Sequence, residues 1–99
     1  MNNIVFWLYI LKCSDDSYYT GHSDSLEERL SKHESGIFAN CYTATRRPIE
    51  LVFSTAFASR EEALAAERQV KGWSRRKKEA MMLGDWASVS RLAKSKMNQ

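Results

Sequence analysis

Four sets of residues in this chain combine types and spacings that could do chemistry. Arg29 and His33 stand four apart in a stretch patterned as a helix, so they share a face, next to the face that carries Leu26 and Leu30. A half-buried arginine needs a carboxylate partner or an anionic ligand. Glu67, in a later helical stretch, falls between Ala63 and Leu64 on the inward side. An ionised carboxylate there is either paired, with Arg68, Lys71 or another base, or holds a cation. Tyr9, Tyr19 and Gly21 lie in two β-prone runs. Strand aromatics usually serve the core, and a glycine ending a strand marks close approach of a backbone or ligand. Tyr42 precedes Arg46 and Arg47 and is a looser candidate.

The fourth set is basic. Residues 1–50 hold five Lys or Arg against seven Asp or Glu, whereas residues 51–99 hold ten against five. Between Arg68 and Lys78 there are six basic residues and no acid. Such a run is either a solvated helix face or a surface whose potential attracts phosphates.

The elements that must position these groups can be read from pattern. Ile4 to Cys13 is a strand with both alternating faces apolar, as in a central strand. Ser14-Asp15-Asp16-Ser17 is a turn, and Tyr18 to His22 returns as the second arm of a hairpin. Ser25 and Glu28 have capping-box spacing for a first helix that Gly36 stops. Leu51, Phe53, Thr55 and Phe57 alternate as a third strand after Pro48. Ser59 and Glu62 form a second capping box, and Ala63, Ala66, Val70 and Trp73 make one face of the helix that follows. Ser74 caps a helix to about Leu83, ended by Gly84. Asp85 caps a last one over about 86–96, with Trp86, Val89, Leu92 and Ala93 inward and a frayed tail from Lys94 to Gln99. The order β-β-α-β-α-α-α predicts an α+β fold, a three-stranded, mostly antiparallel sheet flanked by helices. One domain over residues 1–99 is expected, its core at about 4–83.

Composition narrows the classes. A hydrophobic fraction of 43% argues for a globular domain. No apolar run is long enough for a membrane span, and no secretory signal opens the chain, so a cytoplasmic protein without a membrane partner is expected. Cys13 and Cys41 lack the number and spacing of a disulfide framework or a zinc site and read as free thiols.

Trp7-Leu8-Tyr9 followed by Tyr19-Thr20-Gly21 resembles the paired motifs of the GIY-YIG nuclease superfamily. Arg29 eight residues after Gly21, His33 four further on, and Glu67 within Glu62–Trp73 match the superfamily's arginine, histidine and metal-binding glutamate in order and spacing. Tyr42 to Pro48 is similar to the small stand-alone bacterial members, of the UPF0213 kind. Trp7 and Thr20 depart from the motif letters, and no Asn follows Glu67 until Asn98, where many superfamily endonucleases carry one sooner.

The resemblance implies a metal-dependent endonuclease that hydrolyses phosphodiester bonds of nucleic acid, DNA above all. Glu67 would hold Mg²⁺ or Mn²⁺. Arg29 would neutralise charge on the phosphate. Tyr9 would serve as base once a nearby cation lowers its pKa, or His33 would take the proton instead. Tyr19 would position water or phosphate, and Gly21 would be structural. Lys71, Arg75, Arg76, Lys77 and Lys78, with Arg46 and Arg47, would grip the backbone without reading sequence. Two alternatives stand beside this. One is a nucleic-acid-binding module on a nuclease scaffold with little or no catalysis, to which the missing Asn points. The other is an interaction domain in which Arg29 and Glu67 pair with each other.

Overall fold

The structure, a computed structural model, describes residues 4–37 and 41–97, with side chains to residue 91. Its elements are β1 (Phe6–Lys12), β2 (Tyr18–Ser23), α1 (Leu26–Ser35), a 3-10 helix (Tyr42–Thr45), β3 (Glu50–Phe57), α2 (Arg60–Lys71), α3 (Arg75–Met82) and α4 (Trp86–Met97). The sheet order is β2-β1-β3 with both pairings antiparallel, so the strand that is apolar on both faces is the central one.

The two faces of β1 define two cores. Leu8 and Ile10 point to one side and pack with Val70 of α2, Ala80 and Met81 of α3 and Val89 of α4. Tyr9, Leu11 and Cys13 point to the other and pack with Ile49, Tyr19 and the α1 leucines Leu26 and Leu30. The helices therefore lie on both faces, α1 on one and α2 to α4 on the other. β3 carries a register shift opposite Ile10 and Leu11. It brings Val52 and Phe53 together onto the α2 side, while Leu51, expected to share a face with Phe53, stands 37% exposed beside Leu11.

Local signals are obeyed unevenly. The Ser59 hydroxyl accepts from Glu62 N–H at 3.2 Å and donates to the Glu62 carboxylate, and Ser74 accepts from Lys77 N–H at 3.2 Å. The expected box at Ser25 does not form. Ser25 makes no side-chain cap; its N–H donates to Ser23 Oγ at 3.0 Å, and Glu28 pairs with Lys32 instead. A tight hairpin-to-helix turn has satisfied that end from the strand side. Gly36 closes α1 at φ 73°, where a side chain would be strained and would also meet the Arg47 guanidinium. Trp86, expected inward, is 59% exposed, and of its predicted face Val89 is buried. Leu92, Ala93 and the tail side chains lie outside the described residues, as does Asn98.

Thr20, on the buried face of β2 opposite Ile10, has a hydroxyl that finds no hydrogen-bond partner among the described residues. Burying such a group costs about 1–3 kcal/mol. Thr20→Val keeps the shape and removes the orphan, so it should raise the unfolding free energy by about 1 kcal/mol in a urea titration. A loss of similar size would show that the hydroxyl has a partner when the protein is in water.

Candidate functional site

Tyr9 sits in the middle of β1, and its ring crosses over β2 at the paired Gly21. A Cβ built on Gly21 would come within 2.6 Å of the Tyr9 hydroxyl. Gly21 is therefore needed for the space its missing side chain leaves, since its backbone is not in the left-handed region. Beyond it the phenol meets His33: Tyr9 Oη lies 3.0 Å from Nε2, and His33 Nδ1 lies 2.8 Å from Thr43 Oγ1. All three residues are 1% exposed. Tyr19 joins them, its ring centroid 5.2 Å from that of His33 and 6.4 Å from that of Tyr9, and it stacks outward on Tyr42. The sheet, α1 and the 3-10 helix thus converge on one aromatic cluster, and α1 brings His33 to it because His33 lies on the same side as Leu26 and Leu30.

The electrostatics of this cluster favour neutral groups. Burial drives the Tyr9 phenol far above its ordinary pKa. Tyr19 adds to that, and the opposing pull of Arg29 does not prevail. Tyr19 is pushed up to about 12, again chiefly by burial. His33 is lowered by burial and then by the Arg29 charge. The expectation that a nearby cation prepares Tyr9 as a base is thus corrected for the protein alone, because desolvation outweighs Arg29. Glu67 also raises both tyrosines, so its charge and that of Arg29 reach the same cluster with opposite sign. Arg29 borders a polar recess of about 240 Å³ with Ser23, Asp24, Ser25, Glu28 and Lys32.

Glu67 approaches from the other layer. It lies on the inward face of α2 and is 8% exposed. Lys71 Nζ stands 2.9 Å from Oε1, and His22 Nδ1 donates to Oε2. Burial pushes this carboxyl up, but Lys71 and His22 outweigh it and hold it below the usual range. Lys71 is one of the partners expected from spacing. His22 was missed, although its place was legible: alternation along β2 turns His22 away from Tyr19 and Gly21, toward α2. Because β2 is an edge strand, its two faces meet at an open rim, with the Tyr9 cluster on one side and the His22–Glu67–Lys71 group on the other.

The fit of a metal ion turns on these donors. Among the described residues no group of three or more His, Cys, Asp or Glu is placed to hold one. A single carboxylate suits a largely hydrated Mg²⁺, and an imidazole nitrogen beside it suits Mn²⁺. Glu67, with His22 next to it, is the donor this chain offers, and each of its oxygens is already engaged by Lys71 or His22.

The basic residues divide. Arg46 pairs with Asp15 at 3.0 Å and lies over the Tyr42 ring, while Arg47 donates to the carbonyls of Ala44 and Glu34. Arg75 pairs with Glu79 and covers the Tyr18 ring. These three hold loops and helix ends together. Lys77 lies over Trp73, Arg76 is exposed, and Lys78 has its pKa lowered by burial and then by the nearby Lys71 charge. Arg76, Lys77 and Lys78 form no ion pair among the described residues.

The raised phenols have a consequence at high pH. Their folded pKa values exceed the value of about 10 for an exposed tyrosine. The stability they contribute is whole below about pH 10 and is lost as pH climbs toward the folded values. Unfolding free energy should fall as pH rises from about 10 toward 12, less steeply in Tyr9→Phe, with the absorbance of the buried phenolates rising in step with unfolding. A Tyr9 that ionises near pH 10 in the folded protein would overturn this account of the cluster.

Comparison with known proteins agrees with the geometry. A family model described as the GIY-YIG catalytic domain matches residues 5–80. A UPF0213 protein of Halalkalibacterium halodurans is 47% identical over 76 residues, covering 77% of this chain and 80% of that protein. One from Bacillus subtilis is 42% identical over 78 residues, covering 79% and 76%, and one from Natronomonas pharaonis is 38% identical over 76 residues, covering 77% and 88%. The solution NMR structure of a UPF0213 protein from Bacillus halodurans superposes with a TM-score of 0.51 at 45% identity, covering 78% of this chain and 81% of that one. The sheet order, the Tyr9–Gly21 crossing and these matches together establish that the chain belongs to the GIY-YIG family, among its UPF0213 members.

Proposed function

We propose that this protein is a nucleic-acid-binding domain on a GIY-YIG nuclease scaffold, with little or no catalysis. The observation that carries this reading is the state of Glu67. Its Oε1 faces Lys71 and its Oε2 faces His22, so the carboxylate is compensated by this chain's own groups, and a metal ion bound to it would stand beside the Lys71 ammonium. Lys71 is half exposed, so solvent screens much of its side of this pair. Binding of a phosphate backbone does not require an ion at Glu67. Arg29 at the polar recess, with Arg76, Lys77 and Lys78 on α3, offers cations to a phosphate backbone, DNA being the expected partner.

A second reading, hydrolysis assisted by Mg²⁺ or Mn²⁺, is favoured by one observation: the hydrogen-bonded Tyr9–His33–Thr43 chain lies where the charges of Arg29 and Glu67 are both felt. In that reading Glu67 would hold the ion, which supplies charge stabilisation to the phosphate and the leaving oxygen. Arg29 would hold non-bridging oxygens. Tyr9 would accept the proton of the attacking water after giving its own to His33, and Tyr19 would orient the water. The absence of an Asn between Glu67 and Asn98 weighs against efficient turnover.

The binding reading predicts a salt-dependent complex with duplex or branched DNA in EDTA. Replacing Arg76, Lys77 and Lys78 by Ala should lower the slope of log K against log salt by roughly one unit for each phosphate no longer neutralised, about equally for all sequences. Arg75→Ala, which removes a structural interaction, should lower thermal stability more than it lowers the slope. A slope unchanged in the triple variant would reduce α3 to a solvated face. No binding at low salt would end the proposal.

A further inference from the structure

The hydrogen-bond chain through His33 continues past Thr43, and its last link fixes its direction. Thr43 Oγ1 lies 2.8 Å from His33 Nδ1 and, on its other side, 3.5 Å from Cys41 Sγ, to which it donates. A hydroxyl has one proton to give. With that proton turned to the sulfur, Thr43 can only accept from His33, so Nδ1 carries a hydrogen. In a neutral imidazole Nε2 is then the acceptor, and the Tyr9 hydroxyl 3.0 Å away must donate to it.

We infer that Thr43, backed by Cys41, is a positioning residue that holds His33 in its Nδ1–H tautomer and so makes Nε2 the acceptor for the Tyr9 proton. The 3-10 helix exists in this place to present that hydroxyl: Cys41 precedes it, Thr43 is its one buried residue, and α1 brings His33 against it. When Tyr9 ionises, its O–H bond breaks, Nε2–H forms, and the pair becomes phenolate and imidazolium, the Nδ1–H still bound to Thr43. Every atom and charge is accounted for without a further reactant. A His33 of the opposite tautomer would donate to Tyr9 and could not take its proton. The use of this relay in cleavage rests on the hydrolytic reading above, whereas the tautomer is a property of the protein without nucleic acid or metal, so the two can fail separately.

The test is a long-range nitrogen–proton NMR spectrum of the full chain, ¹⁵N-labelled, near neutral pH and without metal. Wild type should show His33 Nε2 as the pyridine-type nitrogen and Nδ1 as the pyrrole type. Thr43→Ser should keep that assignment. Thr43→Val, nearly the same shape without the hydroxyl, should exchange the two resonances or give a mixture, because Nδ1–H loses its acceptor. If Thr43→Val does not fold, Cys41→Ala serves: freed from the sulfur, the Thr43 proton can turn to Nδ1, and the Nδ1–H population should fall. A wild-type His33 protonated at Nε2, or an assignment unmoved in a folded Thr43→Val or Cys41→Ala variant, overturns the inference.

Discussion

The organising constraint of this molecule is a polar side chain buried in the middle of its central strand. Tyr9 turns toward α1 from β1, the strand whose other face anchors the α2 to α4 core. A buried phenol must find a partner, and reaching one requires that its ring pass over β2. From that follow the absent side chain at Gly21, the placing of His33 on the inward side of α1, and the 3-10 helix that carries Thr43. Replace any of these and the phenol loses space or its partner. The motif spacing is thus the trace of one packing problem and its solution.

The second organising interaction lies across the rim of β2. Glu67 would be costly to bury as a lone charge, and α2 supplies Lys71 one turn on while β2 supplies His22. This arrangement makes the carboxylate stable without a metal. It also sets the balance between the two functional readings, because the Lys71 charge that secures Glu67 opposes a second cation there. The α3 cations Arg76, Lys77 and Lys78, which form no ion pair among the described residues, would need no ion at Glu67 to hold phosphate.

Much of this was legible in the sequence, for identifiable reasons. The two-sided apolar pattern of β1 placed it centrally, and the Ser59 and Ser74 caps and Gly36 fixed helix limits because they are local devices. Ser25 misled because a neighbouring strand residue, Ser23, had already satisfied the turn. Leu51 misled because a bulge is a property of two strands and leaves little mark on one. In the site, Tyr9, Tyr19 and His33 came together as their spacing suggested, in ring contact. His22, Thr43 and Cys41 were overlooked, since their roles depend on which residue of another element stands opposite. The direction of the Tyr9 pKa was misjudged because burial cannot be weighed against a nearby charge until both are located. Arg46, Arg47 and Arg75 read as a phosphate grip, but each has a structural partner that charge counting does not reveal.

The central claim is that this scaffold holds nucleic acid without depending on a metal at Glu67. The most direct measurement follows one branched DNA through binding and nicking in parallel, for wild type and Glu67→Gln, first in EDTA and then with Mg²⁺ or Mn²⁺. The account predicts the same salt-sensitive complex in EDTA for both proteins and, on adding metal, little or no nicked product from either. Efficient metal-dependent nicking by wild type that disappears in a well-folded Glu67→Gln would contradict it and make the hydrolytic reading the correct one.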